Sequence, residues 1–257
     1  MSDEVDIRIE PVNVFKREAQ NPKRAVVNVA FGVRRETGVA YSTAQARLVK
    51  SVKKTGRHGG SMLTWCEQEP GGAASHDEVQ YHFKGVALAE AAAKGHETLL
   101  WLDAVMVVVK PMAELWDQIE SRGYVLWSHP PGGWIVGEWT SDACLKCYGL
   151  TRNEARGIPM LCSGAFGYSL GHPLGKKLHE AFVAAPPHAL RGRWHNKSGH
   201  VSKDKRVKGH RHDQSVLSII AHQLGLEATP TPEFVAPAGQ EDERTTIVHD
   251  MHGVRGW

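Results

Sequence analysis

Residues 101–111 read WLDAVMVVVKP. An apolar run stops at Asp103, passes Ala104, and resumes through Val105, Met106 and three valines before Lys110 and Pro111. A carboxylate in a buried strand is strongly unfavourable unless it is paired, hydrogen-bonded or bound to a metal. Asp103 therefore ends a strand or has a partner. The residues before it make a strand end natural. TLLWL (98–102) is strand-like and follows YHFKGVALAEAAAKG (81–95), a helix closed by Gly95.

The same alternation continues on both sides. Upstream, AVVNVAFG (25–32) is a β-branched run ended by glycine. Residues 41–55 place Ala44, Leu48 and Val52 on one helical face, and SMLTW (61–65) is a short strand. Downstream, PMAELWDQIESRG (111–123) has proline in its first turn and glycine at its end, and YVLWS (124–128) is a strand. TRNEARG (151–157) offers a Thr151–Glu154 capping box, and IPMLCSGAFGYSL (158–170) is strand-like. HPLGKKLHEAFVAA (172–185) and DQSVLSIIAHQLG (213–225) read as helices, the second with Asp213 as its cap. Strands alternating with helices imply an α/β domain: a mostly parallel sheet with helices on both faces. Ligands bind such sheets at the carboxyl ends of strands, where Asp103 lies.

The chain of 257 residues is 41% hydrophobic and 23% charged, which is ordinary for a globular protein with a real core. MSDEVDIRIEP at the start is too acidic and polar for a signal peptide, and the longest apolar stretch is far too short for a membrane helix. Four cysteines make no disulfide framework, so a reducing, cytoplasmic setting is expected. CLKC (144–147) has the spacing of half a zinc site without a second pair. The net charge of +3 is unevenly spread. Residues 191–212 hold eight Lys or Arg against one Asp, whereas residues 213–257 hold seven acids against two arginines. That contrast fits either a phosphate or polyanion site or a solvated loop.

Four stretches, taken in order, resemble the nucleotide-sugar glycosyltransferases of the GT-A fold. FKGVALAEAAAKGHETLLWLDAVMVVVKPMAELWDQI (83–119) is similar to the helix, strand and Asp-x-Asp motif of that fold. CSGAFGYS (162–169) and HDQSVLSII (212–220) resemble the Asn-Ala-Gly strand and Asp-Gln helix of the retaining family typified by glycogenin and bacterial galactosyltransferases. HDMHGVRGW (249–257) resembles its His-x-x-Gly-x-x-Lys-Pro-Trp ending. GEWTSDACL and GHRHDQS also resemble bacterial and phage members of the superfamily.

The resemblance implies one GT-A, Rossmann-like domain over residues 25–257, after an N-terminal extension at 1–24. A basic loop (191–212) and a C-terminal segment (229–257) would close the site. It implies a hexosyltransferase using a nucleoside-diphosphate sugar, held by Ala30, Phe31, Gly32, Arg47, Lys84, Asp103, Ser163, Gly164, Arg211 and Arg255. Asp213 and Gln214 would lie at the sugar carbon, with Asp213 the natural base if configuration inverts. A divalent cation, manganese or magnesium, would sit on Asp103 and His249, with His252 a rival ligand. Val105 replaces the second acid of the motif, and valine cannot ligate a hard cation. Either Asp103 therefore holds the metal with His249 or Asp213, or cationic side chains neutralise the diphosphate. The acceptor would be a hydroxyl, on a saccharide, a small molecule or a hydroxymethylated base in DNA. For DNA, Lys203, Lys205, Arg206 and Lys208 would meet the backbone, while Trp139 and Trp194 could stack on a sugar or base. The alternative from another class is a non-catalytic nucleic-acid- or phosphate-binding protein.

Overall fold

TLLWL forms the middle strand of a five-stranded sheet in a computed structural model that describes residues 21–33, 38–55, 59–128, 133–230 and 233–250. The chain begins with β1 (Arg24–Ala30), α1 (Tyr41–Lys54), β2 (Ser61–Cys66) and α2 (His82–Ala93). It continues with β3 (Thr98–Leu102), β4 (Met106–Val108), α3 (Ala113–Arg122) and β5 (Tyr124–Ser128). Two short helices, α4 (Asp142–Cys147) and α5 (Arg152–Ala155), precede β6 (Leu161–Ser169). Then come α6 (Pro173–Val183), α7 (Pro187–Leu190), α8 (His212–Gln223), β7 (Phe234–Pro237) and β8 (Thr245–His249).

The main sheet has the order β2-β1-β3-β6-β5. The first three strands are mutually parallel, β6 is antiparallel to both its neighbours, and β5 therefore points the same way as β3. Side chains alternate between two cores, as the period of a strand requires. Val27, Leu63, Leu99 and Trp101 face one core, with α2, α6 and α8; Val26, Met62, Leu100 and Leu102 face the other, with α1 and α3. This is the expected mostly parallel sheet covered on both faces, in a Rossmann-like α/β arrangement. Among the described residues no helix is long and apolar enough to cross a membrane.

The sequence around Asp103 folds differently from one interrupted strand. The Asp103 N–H donates to the Gly164 carbonyl at 2.7 Å, and the Asp103 carbonyl accepts from Met106 N–H at 2.9 Å. That tight turn ends β3 and sends the chain into β4, which belongs to a second sheet of order β4-β8-β7. β4 is held against α1 by a bond from Val108 N–H to Ser51 Oγ (3.0 Å), and β8 lies antiparallel to it with His249 opposite Met106. Val105 thus sits in the turn itself. The valine-rich run is a strand of another sheet.

Helix ends follow the residues that cap them. Thr151 and Glu154 form the expected capping box, and α3 stops at Gly123, whose φ of 90° brings it so close to His172 that a Cβ would lie 2.1 Å from Nδ1. The start of α8 departs from expectation. Its N-cap is Arg211, and Asp213 lies inside the first turn, buried and directed at Lys84 rather than at the helix backbone. An ion pair with a buried ammonium is stronger than a cap bond, so the capping role is lost to it.

Candidate active site

Lys84 is the hub of the site. It stands in the first turn of α2 with 1% of its side chain exposed, and its ammonium lies 2.9 Å from Asp103 Oδ1 and 2.8 Å from Asp213 Oδ2. A third bond reaches the Ser163 carbonyl at 2.9 Å. Its ammonium therefore lies among three oxygens, one each from β3's end, β6 and α8. The rings of Tyr81 and Trp101 flank the ammonium, 5.2 and 5.1 Å from their centroids. Burial alone would lower the Lys84 pKa, but the two carboxylates outweigh it and raise it above its ordinary value. Asp213 moves the same way for the opposite reason: burial raises its pKa, and Lys84 only partly offsets that.

Asp103 has a second donor on the same oxygen, Trp101 Nε1 at 2.7 Å, and a side chain 34% exposed. Its Oδ2 faces Gly164, where an added Cβ would come within 3.2 Å of it and 2.8 Å of Met106 Cε. Glycine at that point of β6 leaves the carboxylate room. Ser163 supplies its hydroxyl to Asp213 as well as its carbonyl to Lys84. The Gln214 side-chain amide donates to the Leu161 carbonyl at 2.7 Å, which ties α8 to the start of β6.

An aromatic wall rises from this floor. Tyr81 is the N-cap of α2 in a left-handed conformation (φ 60°), and His212 is left-handed too (φ 46°). Their rings lie 5.7 Å apart, and such backbone conformations cost on the order of 1–3 kcal/mol each for residues with side chains. His212 donates Nδ1–H to the Leu190 carbonyl at 2.8 Å, and its buried Nε2 has no partner. Burial lowers the His212 pKa to about 4 and that of the adjoining His210 to about 3, so both rings are neutral at pH 7. His76 accepts Tyr81's N–H at 3.1 Å and packs edge-on against that ring and against Phe31.

Arg211 lies among three tryptophans. Its guanidinium carbon is 4.2 Å from the Trp139 ring centroid, 4.5 Å from Trp134 and 4.5 Å from Trp194. Burial lowers its pKa to about 10, and Nε is buried without a hydrogen-bond partner.

The structure therefore brings Asp103, Lys84, Ser163, Gly164, Asp213 and Gln214 together, with Arg211, Trp139 and Trp194 along one side. Ala30, Phe31 and Gly32 lie at the end of β1, where the Ala30 and Gly32 carbonyls accept from Glu67 and Tyr41 N–H groups. Arg47 is engaged by Asp250: Nη1 meets Asp250 Oδ2 at 2.9 Å and Nη2 meets the Asp250 carbonyl at 2.8 Å, so it clasps α1 to the end of β8. Two of the four basic-loop residues have acid partners, Arg206 with Asp204 and Lys208 with Glu138, while Lys203 and Lys205 are exposed. His252 and Arg255 lie outside the described residues. All four cysteines are free thiols. Sequence reasoning missed Tyr81, His76 and Trp134. Only the spacing of Tyr81 three residues before Lys84 could have pointed to one of them.

A divalent cation does not fit what the described residues offer. Asp103 Oδ1 is already shared by Lys84 and Trp101, His249 is an imidazole on β8, and no group of three His, Cys, Asp or Glu side chains is arranged to hold a metal. A hard cation takes about six oxygen-rich ligands.

Fold and site together define an α/β protein whose carboxylate–lysine–carboxylate cluster lies at the carboxyl end of β3 in the main sheet. No family model matches the chain, and no match is found among curated proteins. Among solved structures it is similar to a glycosyltransferase involved in the glycosylation of the major capsid of PBCV-1. That match has 15% identity and a TM-score of 0.48, covering 89% of this chain and 93% of that one. It is also similar to mouse xyloside xylosyltransferase 1 in its apo form, with 11% identity, a TM-score of 0.49, and coverage of 91% and 99%.

Proposed function

We propose that the protein is a glycosyltransferase moving a sugar from a nucleoside-diphosphate donor to a hydroxyl acceptor. The observation that carries this reading is the Asp103–Lys84–Asp213 cluster at the carboxyl end of β3, where parallel β1 and antiparallel β6 flank the strand. Crevices at such strand ends are where open α/β sheets take their ligands. The nucleoside would occupy the end of β1, against Phe31 and His76. The sugar would lie over Asp103, Gly164 and Ser163, with the Gln214 carbonyl end turned toward it.

Asp213 is the group suited to the reacting centre. A carboxylate made more basic by burial can take a proton from an acceptor hydroxyl, or stand beside the positive charge that develops on the sugar carbon. Lys84 holds both carboxylates in place through the reaction, since its own raised pKa keeps it charged. Its ammonium already lies among three oxygens, so its part is positioning rather than direct contact with the diphosphate. No step is routed through a metal, because the described donor set does not fit one.

The acceptor is read as a saccharide or small-molecule hydroxyl. DNA would need a continuous cationic face, and Arg206 and Lys208 of that proposed patch are each paired with an acid. The test is a screen of nucleotide sugars for hydrolysis and transfer, with manganese and with excess chelator. Donor hydrolysis that Asp213→Asn reduces by at least a hundredfold, in a protein that melts normally, is the expected outcome. Absence of turnover with every common nucleotide sugar would overturn the reading.

A further inference from the structure

Among the described residues Arg211 is a charge without a counter-charge. No carboxylate among the described residues comes within ion-pairing distance of it, its Nε is buried without a hydrogen-bond partner, and three indoles enclose it. Aromatic faces hold a cation in place but leave its hydrogen-bond donors unused. A half-desolvated guanidinium in that state is preorganised for a carboxylate or a phosphate, which it can grip through two parallel N–H bonds. Next to it, the fully buried His212 Nε2 also lacks a partner, and its ring contacts Trp194 at 5.1 Å.

The position selects which ligand the anion belongs to. Sheet order places β1 on one side of β3 and β6 and β5 on the other. Phe31 and His76 stand on the β1 side, whereas the cage is built from the connection after β5 (Trp134, Trp139) and the loop before α8 (Trp194). The Tyr81 ring contacts both His76 (4.8 Å) and Trp194 (6.1 Å), so the cage adjoins the nucleoside end through Tyr81, on its β6 side. Trp194, 42% exposed, presents an open ring of the kind on which a pyranose face packs.

We infer that Arg211 and its tryptophan cage form an acceptor subsite that selects a saccharide bearing a carboxylate or phosphate group. This rests on the transferase reading for the word acceptor, but binding is measurable without turnover. The experiment is a titration of the full-length protein followed by tryptophan fluorescence, since the reporters surround the guanidinium. Methyl β-glucuronide, glucose 6-phosphate and methyl β-glucoside are the probes, with uridine diphosphate as competitor.

At least one anionic probe should bind tenfold or more tighter than the neutral glucoside, and comparison of the two shows whether carboxylate or phosphate is preferred. Arg211→Met should erase the preference, and Arg211→Lys should keep part of it, because lysine supplies charge without the planar fork. Equal binding of neutral and anionic probes, or no binding of any saccharide, would overturn the inference using wild-type protein alone. Displacement of the anionic probe by uridine diphosphate would also overturn it, assigning Arg211 to the donor. If wild type instead binds the anionic probe selectively but hydrolyses no nucleotide sugar, the transferase reading fails and the anion subsite remains.

Discussion

Two cations near the start of α8 meet opposite fates. Lys84 is wholly buried, and its ammonium lies among three oxygens. Arg211 is half-buried, and its Nε has no hydrogen-bond partner, with tryptophan rings where carboxylates would be expected. The difference separates a part of the scaffold from a part awaiting a ligand. A buried charge must be compensated within the fold, or the fold does not form. A charge at a crevice wall can be left uncompensated when aromatic faces and solvent together hold it.

The sharpest way to break the comparison is to neutralise both cations in turn. Lys84→Met leaves two carboxylates facing each other in a dry site, and unfolding in urea should show a loss of about 3–5 kcal/mol, with donor turnover at background. A loss below about 1 kcal/mol would mean that the cluster is not an ion-paired core. The Arg47–Asp250 clasp is an intermediate case. Asp250 is fully buried but Arg47 is partly exposed, so Arg47→Met should cost about 2–3 kcal/mol by the same measurement, releasing β8 from α1.

The buried histidines extend the contrast to pH. His210 and His212 have pKa values lowered to about 3 and about 4 against about 6.5 in the unfolded chain. Between those values the unfolded state binds the protons and the native state does not. Stability is therefore retained above pH 6.5 and falls as pH drops through the window, by about 1.4 kcal/mol per pH unit for each ring. His212→Gln should remove that ring's share of the slope between pH 6 and 4.5. The smallest effect is expected at Arg211. Arg211→Met keeps contact with the indoles and removes an unpaired charge, so the melting free energy should change by less than about 1 kcal/mol. A large loss there would show that the guanidinium is structural and that the two cations are not so different.

Much of this molecule was legible in the chain. The strands at 25–32, 61–65, 98–102 and 124–128 announced themselves as short apolar runs between helices. Thr151, Glu154 and Gly123 acted through local chemistry that needs no tertiary context, and they cap helices as read. Asp103 stood out because an acid beside a buried run needs a partner, whereas Asp213 and Lys84 stood out through the motifs they resemble. What the sequence could not show is that they are one another's partners, with Asp213 reaching Lys84 from more than a hundred residues further along the chain.

Tertiary structure alone decided the rest. Valines after Asp103 carry no signal that a three-residue turn moves them to another sheet. β6 reads only as strand-like, and it runs antiparallel because strand direction is set by the connections and not by side chains. Asp213 could have capped its helix, and only the position of Lys84's ammonium drew it inward. Arg47 fell to Asp250, and Arg211 to three tryptophans scattered over sixty residues. Local physics fixes where elements begin and end. Which charges meet is a property of packing, since Coulomb's law acts through distance in space and is blind to distance along the chain.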